Sequence, residues 1–293
     1  MRSLVFLTIL GSSAIAFAAP VHSNQVRAES AEQSKGPTTV TVSPKTIHPG
    51  EAVLVTVTGA TAEPHGKAGG RPLEFFAAAK GGYQAVFATP LKIDEDHVLV
   101  EVTDGAKPVS VRVVAKTFPE TKLVVEDELA NPDKEQGRQI DADNAAVEKS
   151  YEQAKGAPQF TRAFHRPPGT VTSTFGEWRT FNDGHRSQHL GLDVGAREGA
   201  RVSAVDAGTV ALVRETFLMG NVVVIAHGAG ISSLYFHLSK VTVAEGDHVK
   251  LGERIGLAGH TGRTTGPHIH LSIHVDGGMV DPLSFLKLPL APE

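Results

Sequence analysis

The stretches HLGLD (residues 189–193), YFH (235–237) and HIH (268–270) decide how the C-terminal part of the chain is interpreted. Each places histidine or aspartate side chains on a segment whose other residues favour a β-strand. Zinc accepts imidazole nitrogen and carboxylate oxygen, and a catalytic zinc usually has three protein ligands and one position left for water. His189, Asp193 and one histidine of the HIH pair provide such a set. The three stretches therefore indicate a mononuclear zinc site that performs hydrolysis.

Strand alternation predicts how the HIH pair is placed. Side chains two positions apart share one face of a strand, so His268 and His270 point the same way with their Cα atoms about 7 Å apart. Ile269 turns to the opposite face, into the core. One histidine can therefore bind the metal while the other stands beside it.

The HLGLD stretch must bend to serve one ion. A straight strand would separate His189 and Asp193 by about 13 Å. Gly191 lies midway, where a residue without Cβ makes a bulge or a close backbone approach easiest. A helix, as in HExxH zinc sites, would also bring positions i and i+4 together, but the glutamate is absent and the glycines disfavour a helix. We predict a bent strand.

The order of the motifs resembles the lysostaphin-like (LytM-type) zinc endopeptidases, which cut peptide cross-links in bacterial peptidoglycan. The motifs are HxGxD, YxHLS, TGxxTGPHxH and a final Asp-Pro, and they lie within about residues 165–288. Two local departures are Phe236, where a small residue is common, and His260 before the Thr-Gly pair. Neither removes a catalytic group, although both can alter the groove.

This resemblance implies roles for five residues. His189, Asp193 and His270 match the zinc ligands of the family, with one Zn²⁺ as cofactor. His237 and His268 match the unligated catalytic histidines. The resemblance also implies an all-β LytM-type peptidase domain with a zinc groove, and peptidoglycan stem peptides or cross-links as substrates. Whether the bond is a D-Ala to diaminopimelate cross-link or a glycine bridge is left open.

The expected chemistry also follows from the residue types. A zinc-bound water has a pKa near 7 and is a nucleophile at neutral pH. No HExxH glutamate is present, and a neutral histidine, with an ordinary pKa near 6.5, can take the water proton and pass it to the leaving amine. We predict His268 as the base and His237 as the group that stabilises the oxyanion. These two roles can be exchanged.

Two other classes of function are compatible with parts of the sequence. The pattern GDxVKxGxxIG at residues 246–256 resembles lipoyl and biotinyl carrier domains, but Lys250 is not at the expected point of the motif. A carrier also has no use for the metal-binding set. The second alternative is a degenerate, non-catalytic family member that activates another cell-wall hydrolase. The presence of all five expected residues argues against it.

The N-terminus predicts export. Residues 1–18 have the form of a signal peptide, with Arg2, an apolar run from Leu4 to Leu10 and an A-x-A site that ends at Ala18. Residues 19–37 are polar and predicted to be disordered. We therefore expect a periplasmic or secreted protein. The apolar run is short for a membrane span, so we do not expect an integral membrane protein.

Composition and strand patterns predict the remaining organisation. A net charge of −4 does not suggest nucleic-acid binding, and the absence of cysteine fits an exported protein that folds without disulfides. The fold class is mostly β. We predict an immunoglobulin-like β-sandwich at 38–125, a helical linker at 126–157 and the zinc metallopeptidase domain at 158–293. The first domain can be a spacer, a wall-binding module or a lid that docks on the zinc groove.

Overall fold

The computed structural model describes residues 37–103, 106–160, 164–182 and 184–292. The predicted signal peptide and almost all of the predicted disordered segment lie outside these residues. β-Strands greatly outnumber helices, which confirms the mostly β fold class. None of the described helices has the length and apolar character needed to cross a membrane.

Short strands in the first part of the described chain form two sheets that face each other. In chain order they are β1 (Thr39–Ser43), β2 (Thr46–Ile47), β3 (Ala52–Thr58), β4 (Gly66–Ala68), β5 (Arg71–Pro72), β6 (Phe76–Ala77), β7 (Tyr83–Ala88), β8 (His97–Val102) and β9 (Val109–Val113). One sheet has the order β1-β3-β7-β6 and the other β2-β9-β8-β4-β5. The pairs are antiparallel except for β2 with β9.

Strand β3 shows why these sheets pack. Its alternate residues Val53 and Val55 are fully buried in the core between the two sheets, together with Val100 of β8. Burial of one such side chain contributes about 1.5–3 kcal/mol to stability. The immunoglobulin-like assignment stays a prediction.

The opposite face of β3 is also buried, against C-terminal residues. Leu54 belongs to the same apolar cluster as Phe160 and Phe285. Phe76 meets Phe160 edge to face, with ring centroids 5.7 Å apart. The backbone N–H of Asp281 donates to the carbonyl of Gly50 at 2.7 Å. Residues from both predicted domains therefore share one hydrophobic core.

A strand and three helical segments connect the two regions. They are β10 (Glu120–Leu123), α1 (Asp127–Ala130), α2 (Lys134–Ser150) and a 3-10 helix (Tyr151–Ala154). Asp133 begins α2 with a capping box, in which its carboxylate accepts from the Gln136 N–H and the Gln136 side chain accepts from the Asp133 N–H. Such caps stabilise a helix by about 1 kcal/mol.

The C-terminal region is built on one large sheet. Its elements are β11 (Val171–Ser173), β12 (Trp178–Phe181), β13 (His185–Gln188), β14 (Leu192–Gly195), β15 (Arg201–Ser203), β16 (Gly208–Thr216), β17 (Gly220–Gly228), β18 (Ile231–Val241), β19 (His248–Val249), β20 (Arg254–Ala258), β21 (His268–Val275), β22 (Gly278–Val280) and α3 (Pro282–Phe285). The main path runs β11-β14-β21-β18-β17-β16-β19, while β15, β20 and β22 pair at its sides. A separate sheet has the order β10-β12-β13, in which β10 runs parallel to β12.

The large sheet is apolar on both faces. Val223 and Ile225 of β17 enter the main core, whereas their neighbours Val222 and Val224 face Val147 of α2. The predicted linker helix therefore covers one face of the sheet. This packing leaves β14, β21 and β18 as adjacent strands, and these strands carry most of the candidate site.

Candidate metal centre

Strand register brings the predicted residues together. Asp193 of β14 lies directly opposite His270 of β21, and His268 lies opposite Gly195 in the same antiparallel pair. His270 also faces Phe236 of β18, so the next residue, His237, reaches the same end of the sheet.

His189 reaches the site through the break between two strands. The chain leaves β13 at Gln188 and enters β14 at Leu192, so the residues between are neither a helix nor one continuous strand, in agreement with the predicted bend. A Cβ atom on Gly191 would lie only 2.4 Å from Nε2 of His270. Glycine is therefore needed here because the backbone passes directly against the imidazole.

Three predicted ligand atoms form a tight triangle. Oδ1 of Asp193 lies 2.8 Å from Nδ1 of His270 and 3.1 Å from Nε2 of His189. The two nitrogens are 3.1 Å apart. A tetrahedral zinc with bonds of about 2.1 Å would separate its ligand atoms by about 3.4 Å. The triangle is therefore close to the size that one zinc ion requires.

In His189 and His270, the ring nitrogen that points away from the triangle (the outer nitrogen) makes a hydrogen bond that fixes the tautomer. Nδ1 of His189 donates to the carbonyl of Thr174 at 2.9 Å. Nε2 of His270 donates to Ser272 Oγ at 2.8 Å, because that hydroxyl gives its own hydrogen to Leu190 O. The inner nitrogens therefore hold lone pairs. Two lone pairs and a carboxylate at 3 Å repel one another unless a cation lies between them, so this donor set fits a divalent metal.

The two remaining predicted histidines are held in the same way. Nδ1 of His237 donates to Thr261 O at 2.7 Å, and Nδ1 of His268 donates to Gly266 O at 2.9 Å. Their Nε2 atoms face the centre, and that of His268 is buried without a hydrogen-bond partner. The two ring centroids are 5.0 Å apart. Both rings therefore present a free lone pair beside the triangle.

Two overlapping metal-binding sets result. One is His189, Asp193 and His270, and the other is His237, His268 and His270. In each set the ligand atoms lie within 4.8 Å of one another. The first set includes a carboxylate that offsets the charge of a cation, and it is the set that the sequence predicts.

His237 has a strained backbone. Its φ of +61° is in the left-handed region, which costs a non-glycine residue of the order of 1–3 kcal/mol. Its N–H donates to Met219 O at 2.9 Å, which holds the residue in place. The strain is thus associated with a ring that turns into the centre.

Burial and charge set the protonation of the site. Burial lowers the pKa of His237 to about 3 and that of His270 to about 4, so both are neutral at pH 7. Burial would lower the pKa of His268, yet the adjacent Asp193 carboxylate raises it above its ordinary value.

A supporting group behind Asp193 was not predicted from the sequence. Arg179 of β12 donates to Oδ2 of Asp193 at 2.5 Å and to Ser173 Oγ at 2.8 Å. Glu177 accepts hydrogen bonds from the hydroxyls of Ser173 and Thr121. Arg179 therefore occupies one carboxylate oxygen and leaves the other for the metal. The available signal was the Asp-Gly pair in the sequence at 183–184, a pattern that predicts a hairpin between the strands that precede the first ligand.

Cavities extend from the centre in two directions. A polar cavity of about 400 Å³ has Thr121, Arg179 and His268 among its lining residues. A more apolar cavity of about 440 Å³ lies on the side of α2, where Leu190 and Phe236 contribute to its wall. Both cavities reach His237, Arg179 and Arg263. The centre therefore lies in a cleft that is open on two sides.

Five other histidines of the C-terminal region lie outside the centre. His227 is fully buried in the core. His274 stacks on Tyr151 with ring centroids 3.8 Å apart. His260 pairs with Glu198 at 3.1 Å. The two others are His185, which stacks on Phe181, and His248, which hydrogen bonds to Thr209.

Comparison with known proteins identifies a segment of the chain that is similar to a peptidase family. Residues 187–282, about a third of the chain, match Peptidase family M23. All five predicted site residues lie within this M23-like segment, whereas Arg179 and Ser173 precede it.

Three relatives show how far the similarity extends. The chain is 37% identical over 142 residues to the peptidoglycan DD-endopeptidase ShyA of Vibrio cholerae, which covers 47% of this chain and 33% of that protein. It is 42% identical over 105 residues to the DD-carboxypeptidase/endopeptidase Mpg of Neisseria meningitidis, covering 36% and 24%. It is 30% identical over 156 residues to stage II sporulation protein Q of Bacillus subtilis, covering 52% and 50%. The chain thus matches half or less of each relative.

A solved structure extends the likeness beyond the M23-like segment. A Pseudomonas aeruginosa protein assigned to peptidase M23 matches with a TM-score of 0.63 and 26% identity. The match covers 81% of this chain and 94% of that one. Coverage this large includes residues before 187, so the strands that precede the M23-like segment also have counterparts there.

Proposed function

We propose that this chain is an exported zinc-dependent endopeptidase that hydrolyses peptide bonds in peptidoglycan stem peptides or cross-links. One observation carries the proposal: four imidazoles and the Asp193 carboxylate form two overlapping metal-binding sets, which share His270, beside an open cleft. The presence of the M23-like segment supports the reaction type.

In this proposal His189, Asp193 and His270 hold the zinc. When bound, zinc supplies a water of lowered pKa and polarises the scissile carbonyl. The outer hydrogen bonds to Thr174 and Ser272 keep the ligand rings in the required tautomer and orientation.

His268 is the proposed general base. Its Nε2 is buried and unpartnered, while its Nδ1–H stays anchored on Gly266 O. A pKa raised from 6.5 suits a group that must accept a proton near neutral pH. His268 then returns this proton to the leaving amine, since the same Nε2 faces the cleft.

The hydrogen-bond pattern favours a different role for His237 from the predicted one. A neutral ring whose Nδ1–H is committed to Thr261 O has no hydrogen to donate to an oxyanion. Burial keeps the ring neutral, with a pKa of about 3. We therefore assign His237 as an acceptor that orients the attacking water through the lone pair on Nε2.

The proposed substrate rests on the relatives and on the cleft. ShyA and Mpg are named for endopeptidase activity, and ShyA for peptidoglycan. A cleft with cavities on both sides of the centre accommodates an extended peptide on both sides of the scissile bond. The proposed location, periplasmic or secreted after cleavage of residues 1–18, follows from this substrate and from the N-terminal sequence.

The domain ranges 38–125, 126–157 and 158–293 remain part of the proposal, as does docking of the first domain. The shared core of Leu54 with Phe160 and the hydrogen bond from Asp281 to Gly50 support docking. Strand β10 falls in the first range but pairs with β12, so a boundary at 125 divides a sheet that lines the cleft.

Digestion of purified muropeptides, followed by mass spectrometry, tests the proposal. The zinc-loaded protein should convert cross-linked dimers to monomers, chelation should stop this, and added zinc should restore it. A His248→Ala variant serves as a control because this exposed histidine lies outside the centre. A protein that binds zinc but forms no product would favour the alternative of a non-catalytic activator of another hydrolase.

A further inference from the structure

Arg263 is a charged residue of the cleft to which the proposed mechanism gives no role. It lies between β20 and β21, and its backbone N–H donates to Leu218 O at 2.7 Å. Its guanidinium stacks over the Phe181 ring, 4.1 Å from the centroid. It lines both the polar and the apolar cavity. Among the described residues, its side chain forms no ion pair and no hydrogen bond.

The other charged side chains of the polar cavity are already engaged. Arg179 binds Asp193 and Ser173. Glu177 is held by two hydroxyl groups. Among the charged side chains that line this cavity in the described chain, Arg263 is thus the one with no ion pair and no hydrogen bond. A partly buried charge without a partner is unfavourable, so an anionic partner would stabilise it.

The geometry of Arg263 is suited to one chemical group. A guanidinium presents five N–H donors in a plane, and two of them match the two oxygens of a carboxylate. Stacking on Phe181 fixes this plane before a ligand arrives, so little side-chain entropy is lost on binding. A lysine at this position would offer a point charge without the planar fork.

We propose that Arg263 binds a free carboxylate of the substrate next to the scissile bond and so selects cross-links that carry one. The inference rests on the proposed function. In a D-alanyl to diaminopimelate cross-link, the carbon that bears the scissile nitrogen also bears a carboxylate. A glycine bridge has no such group. Arg263 therefore favours the diaminopimelate cross-link as the substrate class.

Paired synthetic substrates test this selectivity. The zinc-loaded full chain would be assayed on a D-alanyl to diaminopimelate peptide with the adjacent carboxylate free and on the same peptide with that carboxylate amidated. We expect the unmodified protein to cleave the free acid about 10- to 100-fold more efficiently, the effect of one charge-assisted pair. Arg263→Gln should abolish the difference and Arg263→Lys should restore part of it. Arg197→Gln, at an exposed arginine outside both cavities, is the matched control.

A binding measurement separates this inference from the proposed function. Calorimetric titration of the metal-free protein with the same two peptides reports carboxylate recognition without turnover. If neither peptide is cleaved but the free acid binds more tightly and Arg263→Gln removes this preference, the proposed function fails and the assignment of Arg263 stands. Equal cleavage or equal binding of both peptides by the unmodified protein would overturn the assignment, as would Arg263→Gln weakening both equally.

Discussion

The centre and the polar cluster around His227 use buried histidine in opposite ways. His227 is fully buried, and both of its ring nitrogens have partners, Ala207 O at 2.7 Å and Ser233 Oγ at 2.8 Å. His268 and His237 satisfy only the outer nitrogen and aim the inner one at the cleft. His237 is nearly as buried as His227, so burial alone does not distinguish the histidines of the centre. The unused lone pair does.

The largest effect on the centre is expected when the Asp193 carboxylate is removed. Asp193→Ala leaves the inner lone pairs without the charge that balances a cation, and leaves Arg179 buried without its partner. We expect zinc content to fall from about one ion per chain to nearly none, and hydrolysis to fall by more than about 10⁴-fold. Elemental analysis beside the muropeptide assay measures both. Full zinc occupancy in this variant would disprove the assigned ligand set.

Removal of the His268 imidazole, which is not a proposed zinc ligand, should lower the rate of hydrolysis without lowering the zinc content. His268→Ala keeps all three proposed ligands, so zinc content should be unchanged, while loss of the proton acceptor should lower kcat by about 10²- to 10⁴-fold. The same two measurements apply. If His268→Ala loses zinc, the metal uses the second overlapping set; if it is fully active, His268 is not the base.

A smaller effect is expected from a substitution of Arg179, which contacts the proposed ligand Asp193. Arg179→Gln frees Oδ2 of Asp193 but leaves every ligand in place. Loss of such a supporting contact should weaken zinc affinity by about 10- to 100-fold. Competition with a chromophoric chelator gives the affinity. Arg186→Gln is the control, since Arg186 lies on the neighbouring strand and pairs with Glu120 at the surface. Equal affinity in both variants would remove Arg179 from the site.

The smallest effect is expected in the polar cluster around His227, and it concerns the stability of the fold. Burial lowers the pKa of His227 to about 4, whereas the unfolded chain has an ordinary value near 6.5. Between these values the unfolded state binds a proton and the folded state does not, so the free energy of unfolding falls as pH falls, by up to about 1.4 kcal/mol per pH unit. Below pH 4 this contribution no longer changes.

Urea unfolding at a series of pH values tests that expectation. His227→Gln should reduce the pH slope between about 6.5 and 4 while zinc content and turnover at pH 7 stay near those of the unmodified protein. An unchanged slope would mean that His227 is protonated in the folded state. If the folded His227→Gln variant lost zinc, the cluster around His227 would not be independent of the centre.

Strand alternation in the sequence predicted that the HIH pair shares one face, and the resemblance to LytM-type peptidases implied the roles of the five central residues, because both depend only on local motifs. The bend at Gly191 followed from the same reasoning. Arg179 could not be found this way, since its contact with Asp193 depends on how two sheets meet. The position of β10 depends on a parallel pairing between residues 58 positions apart, such as Glu120 with Trp178, for which no local pattern exists. The left-handed backbone of His237 likewise arises from tertiary packing.

The pairing of β10 with β12 also determines which segment of the chain would be needed in a fusion protein that is to carry the complete cleft. Thr121 and Arg179 shape the cleft, yet both lie before residue 187, where the family match begins. A fusion protein that carried only the matched segment would have the proposed zinc ligands but would lack part of the cleft wall and the arginine that contacts Asp193. The shortest segment that keeps the whole cleft therefore begins at β10 or before it.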